Sequence, residues 1–289
     1  TLSSLLSQTH QNFELIINDN CSIDATEAVC REFARRDARI KYFKNERNVG
    51  FAGNQNLAME RAGSEYVALV HDGDIYHPEL LEKWLKALKE HPDCALAFNG
   101  HHYLSTKRTV ILPLARKCEG RHMWELYYML GVSPIWGIAM VRRSKVVEAG
   151  KFDAEIPTLA DVDMWLRLEL KSDIAYVPEP LISLAGREPN HPTRPWNWNV
   201  AEEEDRILWL NLARRFKPDA PERASLERHV AFLIWRRNIM NLLWTARKGR
   251  FLAVFKGLVH FASYRKRKIA LLASIDRLKV RPPARDPRV

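Results

Sequence analysis

An α/β fold followed by a helical region is predicted by three observations. Apolar runs of strand length alternate with amphipathic runs of helical length along the first part of the chain, the pattern of βαβ units in a doubly wound, mostly parallel sheet. Acidic and small polar residues gather where the apolar runs stop, the edge at which such sheets bind ligands. Beyond residue 201 the strand signals cease and the pattern is helical.

The elements follow in order. A helix over 2–8 leads into the apolar strand "FELIIND" (13–19), and "DATEAVCREFARRD" (24–37) is an amphipathic helix whose start is marked by Asp24 and Thr26. Ser22 or Asp24 is expected to cap it. Strand 40–45, helix 50–62, strand 66–72 and helix 78–91 continue the alternation. After "CALAFNGHHYL" (94–104) it loosens, with a helix near 121–131, a strand at 137–143, an acidic segment over 152–170 and a strand over 174–184. A Pro- and Trp-rich stretch, "GREPNHPTRPWNWN", separates this part from the helical remainder. The predicted division is therefore 1–195 and 196–289.

With 289 residues, 46% of them hydrophobic, the chain can bury one large core and carry an appendage. A net charge of +10 favours anionic partners: nucleotides, an anionic lipid surface or nucleic acid. Cys21, Cys30, Cys94 and Cys118 have no CxxC spacing and read as reduced thiols. No apolar run is long enough to span a bilayer and no leader pattern is present, so a cytoplasmic location is expected.

The chemistry concentrates at strand ends. In "ALVHDGDIYHPELLEKW" (68–84), Asp72 and Asp74 flank Gly73 at the end of a buried strand. Taken alone, this is either a solvated turn with helix-capping aspartates or a pair of hard oxygen donors for Mg²⁺ or Mn²⁺. "INDNCSIDAT" (17–26) is a second acidic strand end, where Asp19 and Asn20 precede the helix and can meet the edge of a base. In "NVGFAGNQNLAM", Gly50, Gly53 and Asn54 open a third helix beside it. Asp161 in "ADVDMWLRL" is either a helix N-cap, with Asp163 an ordinary first-turn acid, or a carboxylate base. His71, His77, His101 and His102 show no ligand spacing and read as surface or turn residues.

Taken together, "SLLSQTHQNFELIINDNCSIDAT", "NVGFAGNQNLAM", "YVALVHDGDIYHPELLEKW", "GIAMVRRSKVVEAGKFD" and "ADVDMWLRL" resemble, in order and over about residues 1–185, the inverting family 2 glycosyltransferases of GT-A fold. The resemblance implies that Asp19 and Asn20, with Gly50 and Asn54, contact the nucleotide of a nucleotide-sugar donor. Asp72 and Asp74 would be the metal-binding DxD, and Asp161 the general base on the acceptor hydroxyl. It further implies that Trp136 and Gly137 shape the acceptor side. Arg187 would reach the diphosphate, with His191 beside it as a further metal ligand. A core tryptophan is the other reading of Trp136.

Three departures from the family pattern stand out. The family's opening strand would precede Thr1, so the chain reads as truncated at its N-terminus, with weaker donor binding expected. Ala160 replaces the Glu of the Glu-Asp pair, and Gly73 stands where many relatives carry a further aspartate. In the C-terminal region Arg236, Arg237, Arg247, Lys248, Arg250, Lys256 and the cluster 265–268 alternate with Trp, Phe and Leu. That pattern suits either a helical appendage with a solvated basic face or docking on the anionic inner face of a membrane near a lipid-linked acceptor. No nucleic-acid module is present, so nucleic acid is not an expected partner. The reading is metal-assisted transfer of a sugar to a saccharide or lipid-linked acceptor. A catalytically inactive nucleotide-sugar or glycan binder on the same fold is the alternative, and a nucleic-acid binder acting through the basic tail ranks behind it.

Overall fold

The computed structural model describes residues 1–130, 133–135, 137–185, 198–217, 219–247 and 258. They fall into two compact units, Thr1–Arg194 and Pro195–Val289. The first unit is an α/β layer structure with helices against a central sheet.

Helix α1 (Leu2–Leu6) precedes β1 (Leu15–Asp19), α2 (Thr26–Arg36), β2 (Ile40–Lys44), α3 (Gly50–Arg61) and β3 (Tyr66–Leu69). β1 and β2 pair in parallel, as a βαβ unit requires. The capping expectation for α2 is corrected: Ala25 is its N-cap, without a side-chain cap. Asp24 instead accepts the Thr26 N–H at 3.0 Å in a local turn, and the Ser22 N–H goes to Asp19.

After β4 (Ile75–Tyr76), α4 (Leu80–Glu90) carries Leu80, Leu81, Trp84 and Leu88 on one buried face, the helical period written in its sequence. β5 (Cys94–Tyr103) is buried along its first seven residues without alternation, as a strand covered on both faces must be. β6 (Arg108–Val110), β7 (Lys117–Cys118), α5 (Gly120–Leu130), β8 (Ala139–Arg142), α6 (Arg143–Glu148), α7 (Ala160–Glu169) and β9 (Asp173–Leu184) complete the unit. A seven-stranded sheet runs β3-β8-β5-β9-β4, with β6 on β5 and β7 on β9. Its parallel ladder is β5 with β9 and the other pairings are antiparallel, so the mostly parallel sheet expected from the alternation is corrected to a mixed one: β4, β6, β7 and β8 run against their neighbours. The ladder slips where Gly100 comes to face Pro180, since a proline cannot donate to it.

β8 enters the sheet beside the end of β3, with Ala139 opposite Leu69, so it runs against β3 and delivers Gly137 and Ile138 to the edge where β3 stops. Arg142 ties this corner together, donating to the carbonyls of Cys94 and Leu88 at 3.0 and 2.7 Å and pairing with Glu65. Between the edges of β1 and β3 lies a cleft of about 510 Å³, lined by Phe13, Leu15, Met59, Tyr66, Ala68 and Leu85. None of the candidate site residues lines it.

The second unit contains α8 (Trp198–Arg215) and α9 (Pro221–Arg247), packed through Leu208, Leu212, Val230 and Ile234 among others. Arg237, counted above with the basic side chains, turns inward: it donates to Glu204 at 2.7 Å, to Asp205 and to the Ala201 carbonyl. Phe232, Trp235, Met240 and Leu243 are exposed instead. At 100° per residue they share one face of α9 with the exposed Arg228, Arg236 and Arg247. No helix among the described residues is long and apolar enough to cross a membrane. The tail cluster 265–268, with Lys248, Arg250 and Lys256, lies outside the described residues.

Candidate active site

The site is assembled at the carboxyl ends of β1 and β3 and at the start of α7. At the first of these, Asp19 is buried with both carboxylate oxygens engaged: Oδ1 accepts the Ser22 N–H at 2.8 Å and Oδ2 the Tyr42 hydroxyl at 2.6 Å. Burial alone would raise its pKa, but the hydrogen bonds from Tyr42 and Ser22 outweigh it and the net shift is downward, keeping Asp19 ionised. Burial and the Asp19 carboxylate push the Tyr42 hydroxyl pKa upward.

An amide network holds the neighbouring turn. Asn20 Oδ1 accepts the Val49 N–H at 2.9 Å, and its Nδ2 donates to Asn48 Oδ1 at 2.9 Å and to the Gly50 carbonyl at 3.2 Å. Asn54 Nδ2 donates to the Asn18 carbonyl at 2.8 Å, while Asn54 Oδ1 accepts from Asn45 at 2.8 Å and Asn18 at 2.5 Å. Asn18, Asn20, Asn45, Asn48 and Asn54 therefore fix the loop over 45–50 as one object. The network puts Asn20, Gly50 and Asn54 together beside the end of β1. Asn45 and Asn48 were missed in the sequence, although asparagines at 18, 20, 45, 48 and 54 are a visible signal.

The "HDGD" turn separates its two aspartates. Gly73 adopts φ +82°, a left-handed conformation that a side chain would resist. Asp72 is exposed, whereas Asp74 is fully buried, its Oδ1 accepting the Ala185 N–H at 3.1 Å and its carbonyl accepting the Thr1 hydroxyl at 2.8 Å. Asp74 thus ties the turn to the end of β9, and Asp72 presents its carboxylate outward. Among the described residues no three His, Cys, Asp or Glu side chains group as a metal cage.

Asp161 stands in the first turn of α7, where Leu159 is the N-cap and no side chain caps the helix, so the capping reading of Asp161 is not met. Its Oδ1 accepts the Val162 N–H at 2.8 Å. Two residues on, Asp163 is fully buried and paired with Arg167 at 2.8 Å, a structural acid rather than an exposed one. Gly137 meets Asp161 directly: a Cβ at this position would collide with Asp161 Oδ2 and come within 2.9 Å of His71 Cε1. The absent side chain is what admits the carboxylate. His71, read from sequence as a surface or turn residue, is thereby brought to Asp161, with its ring edge-on to Phe51 at 6.1 Å. Trp136, Arg187 and His191 lie outside the described residues.

Known proteins share this arrangement of elements. The chain is 27% identical over 171 residues to an uncharacterized glycosyltransferase of Methanocaldococcus jannaschii, covering 58% of each chain. It is 36% identical over 109 residues, 38% of this chain and 43% of the relative, to the putative teichuronic acid biosynthesis glycosyltransferase TuaG of Bacillus subtilis. The chain thus spans about half the length of these relatives. The crystal structure of S. aureus TarS superposes with a TM-score of 0.60 at 19% identity, over 80% of this chain and 39% of TarS. TarS residues 1–349 in complex with UDP-GlcNAc match with a TM-score of 0.54 at 19% identity, over 92% and 86% of the two chains. These likenesses show the GT-A fold. Residues 1–148, just over half the chain, match the family model described as Glycosyl transferase family 2. The chain belongs to glycosyl transferase family 2.

Proposed function

We propose that this chain moves a hexosyl group, with inversion, from a nucleoside diphosphate sugar to a hydroxyl of a saccharide or lipid-linked acceptor during surface polysaccharide or glycoconjugate synthesis. The observation that carries the reading is the convergence of Asp161, Gly137 and His71 beside the exposed Asp72. A half-buried carboxylate at the start of α7, set against a bare glycine beside the acidic turn, is placed to take a proton from an incoming hydroxyl. As that oxygen attacks the anomeric carbon, the bond to the diphosphate breaks on the opposite face, giving inversion.

The donor is held by the wall built from Asp19 and the asparagine network, and its diphosphate lies toward Asp72. A divalent ion fits this donor set, because Mg²⁺ is bound through one or two carboxylates plus substrate phosphates rather than by an all-protein cage. Such an ion, Mg²⁺ or Mn²⁺, would neutralise charge on the departing diphosphate. Asp72 would hold it, with Asp74 behind the turn. Arg187 and His191 belong to the same reading as diphosphate and metal contacts, and Trp136 as an acceptor contact. The TarS complex with UDP-GlcNAc and the teichuronic acid assignment of TuaG support a UDP-sugar and a surface polymer as the first pair to try.

The exposed Phe232, Trp235, Met240 and Leu243, among Arg228, Arg236 and Arg247, support a peripheral position on the anionic inner face of the cell membrane. Transfer and donor binding measured across UDP-, GDP- and dTDP-sugars, with and without Mn²⁺, test the proposal. Binding without turnover for every donor and acceptor would favour the inactive-binder reading. Salt-sensitive RNA binding without sugar-nucleotide binding would reject both.

A further inference from the structure

We propose that His71 is a positioning residue of this site, holding the Asp161 carboxylate in the one orientation that faces the acceptor hydroxyl. The inference rests on the transferase reading above and deepens it.

His71 is held from three sides, through its backbone and through its ring. Its backbone is locked by Tyr76, whose buried hydroxyl accepts the His71 N–H at 2.8 Å and donates to the His71 carbonyl at 2.7 Å. That pair fixes the last residue before the acidic turn, so the ring leaves the backbone in a set direction. Phe51, in the first turn of α3, meets the ring edge-on at 6.1 Å and 80°. On the remaining side the ring reaches the backbone of Gly137, the same point at which Asp161 Oδ2 arrives from α7. Imidazole and carboxylate thus close on one bare glycine from different elements.

The carboxylate lies against Gly137, with the His71 ring at the same glycine. Oδ1 of the same carboxylate is fixed to the Val162 N–H. Carboxylate and ring lie against the same glycine, so the ring narrows the space into which the Asp161 side chain can turn. A carboxylate confined in this way keeps Oδ2 ready for a proton without losing rotamer entropy in the transition state. Removing the ring frees it to turn away. The His71 ring reaches Gly137 beside Asp161, while the neighbouring Asp72 keeps its own side chain for the donor, so loss of the ring is expected to fall on the chemical step.

The test compares His71→Ala, His71→Asn and the parent chain. With an active donor and acceptor pair, His71→Ala is expected to lower kcat at least tenfold while the donor KM stays within twofold. His71→Asn, which restores a planar polar group, is expected to recover part of the loss. Unchanged kcat, or a donor KM that rises in step with the fall in kcat and is not relieved by asparagine, overturns the proposal. Crystal structures of parent and His71→Ala, without donor or acceptor, read the same claim independently of turnover. An Asp161 carboxylate displaced from Gly137 supports it, and an unmoved carboxylate refutes it. Loss of the transferase reading, seen as a parent chain with no transfer, is thereby kept distinct from loss of this inference.

Discussion

Replacing Asp163 by asparagine should unfold this protein's first unit more readily while Asp161→Asn, two residues away on the same helix, should leave it standing. The Asp163 side chain is 0% exposed and that of Arg167 is 11%, with Nε to Oδ2 at 2.8 Å. Arg167 also donates to the carbonyls of Ala149 at 2.5 Å and Lys151 at 2.8 Å, stitching α7 to the turn after α6. Asparagine keeps the shape and removes the charge, leaving a buried guanidinium with carbonyl partners alone. Breaking one side of a buried pair costs about 3–5 kcal/mol. In a unit of this size that lowers Tm by about 6–20 °C, since each kcal/mol moves it by roughly 2–4 °C. Asp161 is half-buried and is expected to cost under about 1 kcal/mol. Thermal unfolding followed by circular dichroism, with urea unfolding beside it, measures both. An Asp163→Asn variant within about 1 kcal/mol of the parent would refute the assignment of Asp163 as the structural acid.

Other outcomes follow from the same geometry. Glu169 is fully buried, its Oε2 has no hydrogen-bond partner among the described residues, and burial pushes its pKa from 4.5 up to about 8. Between those values the unfolded chain has released this proton and the fold retains it, so stability falls as pH rises from about 4.5 to 8, by a few kcal/mol. Glu169→Gln should flatten that slope in urea unfolding at pH 5 and pH 8.5, and an unaltered slope would contradict it. Asn54→Ala strands the amides of Asn18 and Asn45 and should cost about 1–3 kcal/mol. It should also weaken donor binding in calorimetry, and unchanged donor affinity would detach the network from the site. Phe232→Glu with Trp235→Glu should abolish sedimentation with anionic vesicles while leaving transfer to a water-soluble acceptor intact. Retained sedimentation would remove α9 from the membrane reading.

The fold was legible wherever burial imposed a period. The βαβ alternation through Leu69, the amphipathic face of α4 and the continuous apolar run of β5 all follow from which faces are covered. The antiparallel entry of β8 was not legible, because a strand's direction depends on where the preceding chain leaves off rather than on its own residues. Short strands such as β4 and β7 are too brief to show a period. At the site, acidic strand ends announced Asp19 and Asp72, but the sequence treated Asp72 and Asp74 as equivalent. The positive φ of Gly73 turns one outward and the other inward. Nor could the sequence bring His71 and Asp161 to the same glycine, for they stand ninety positions apart and the lack of a side chain at Gly137 is the local sign.

In the proposed reaction Asp72 serves the donor and Asp161 the acceptor. Donor binding and sugar transfer measured on the parent chain, Asp72→Ala and Asp161→Ala, with Mn²⁺ or Mg²⁺ and with chelator, test it most directly. Metal-dependent donor binding that is lost in Asp72→Ala, and full donor binding without transfer in Asp161→Ala, are expected. Donor binding indifferent to both metal and Asp72, or transfer that survives in Asp161→Ala, would contradict it.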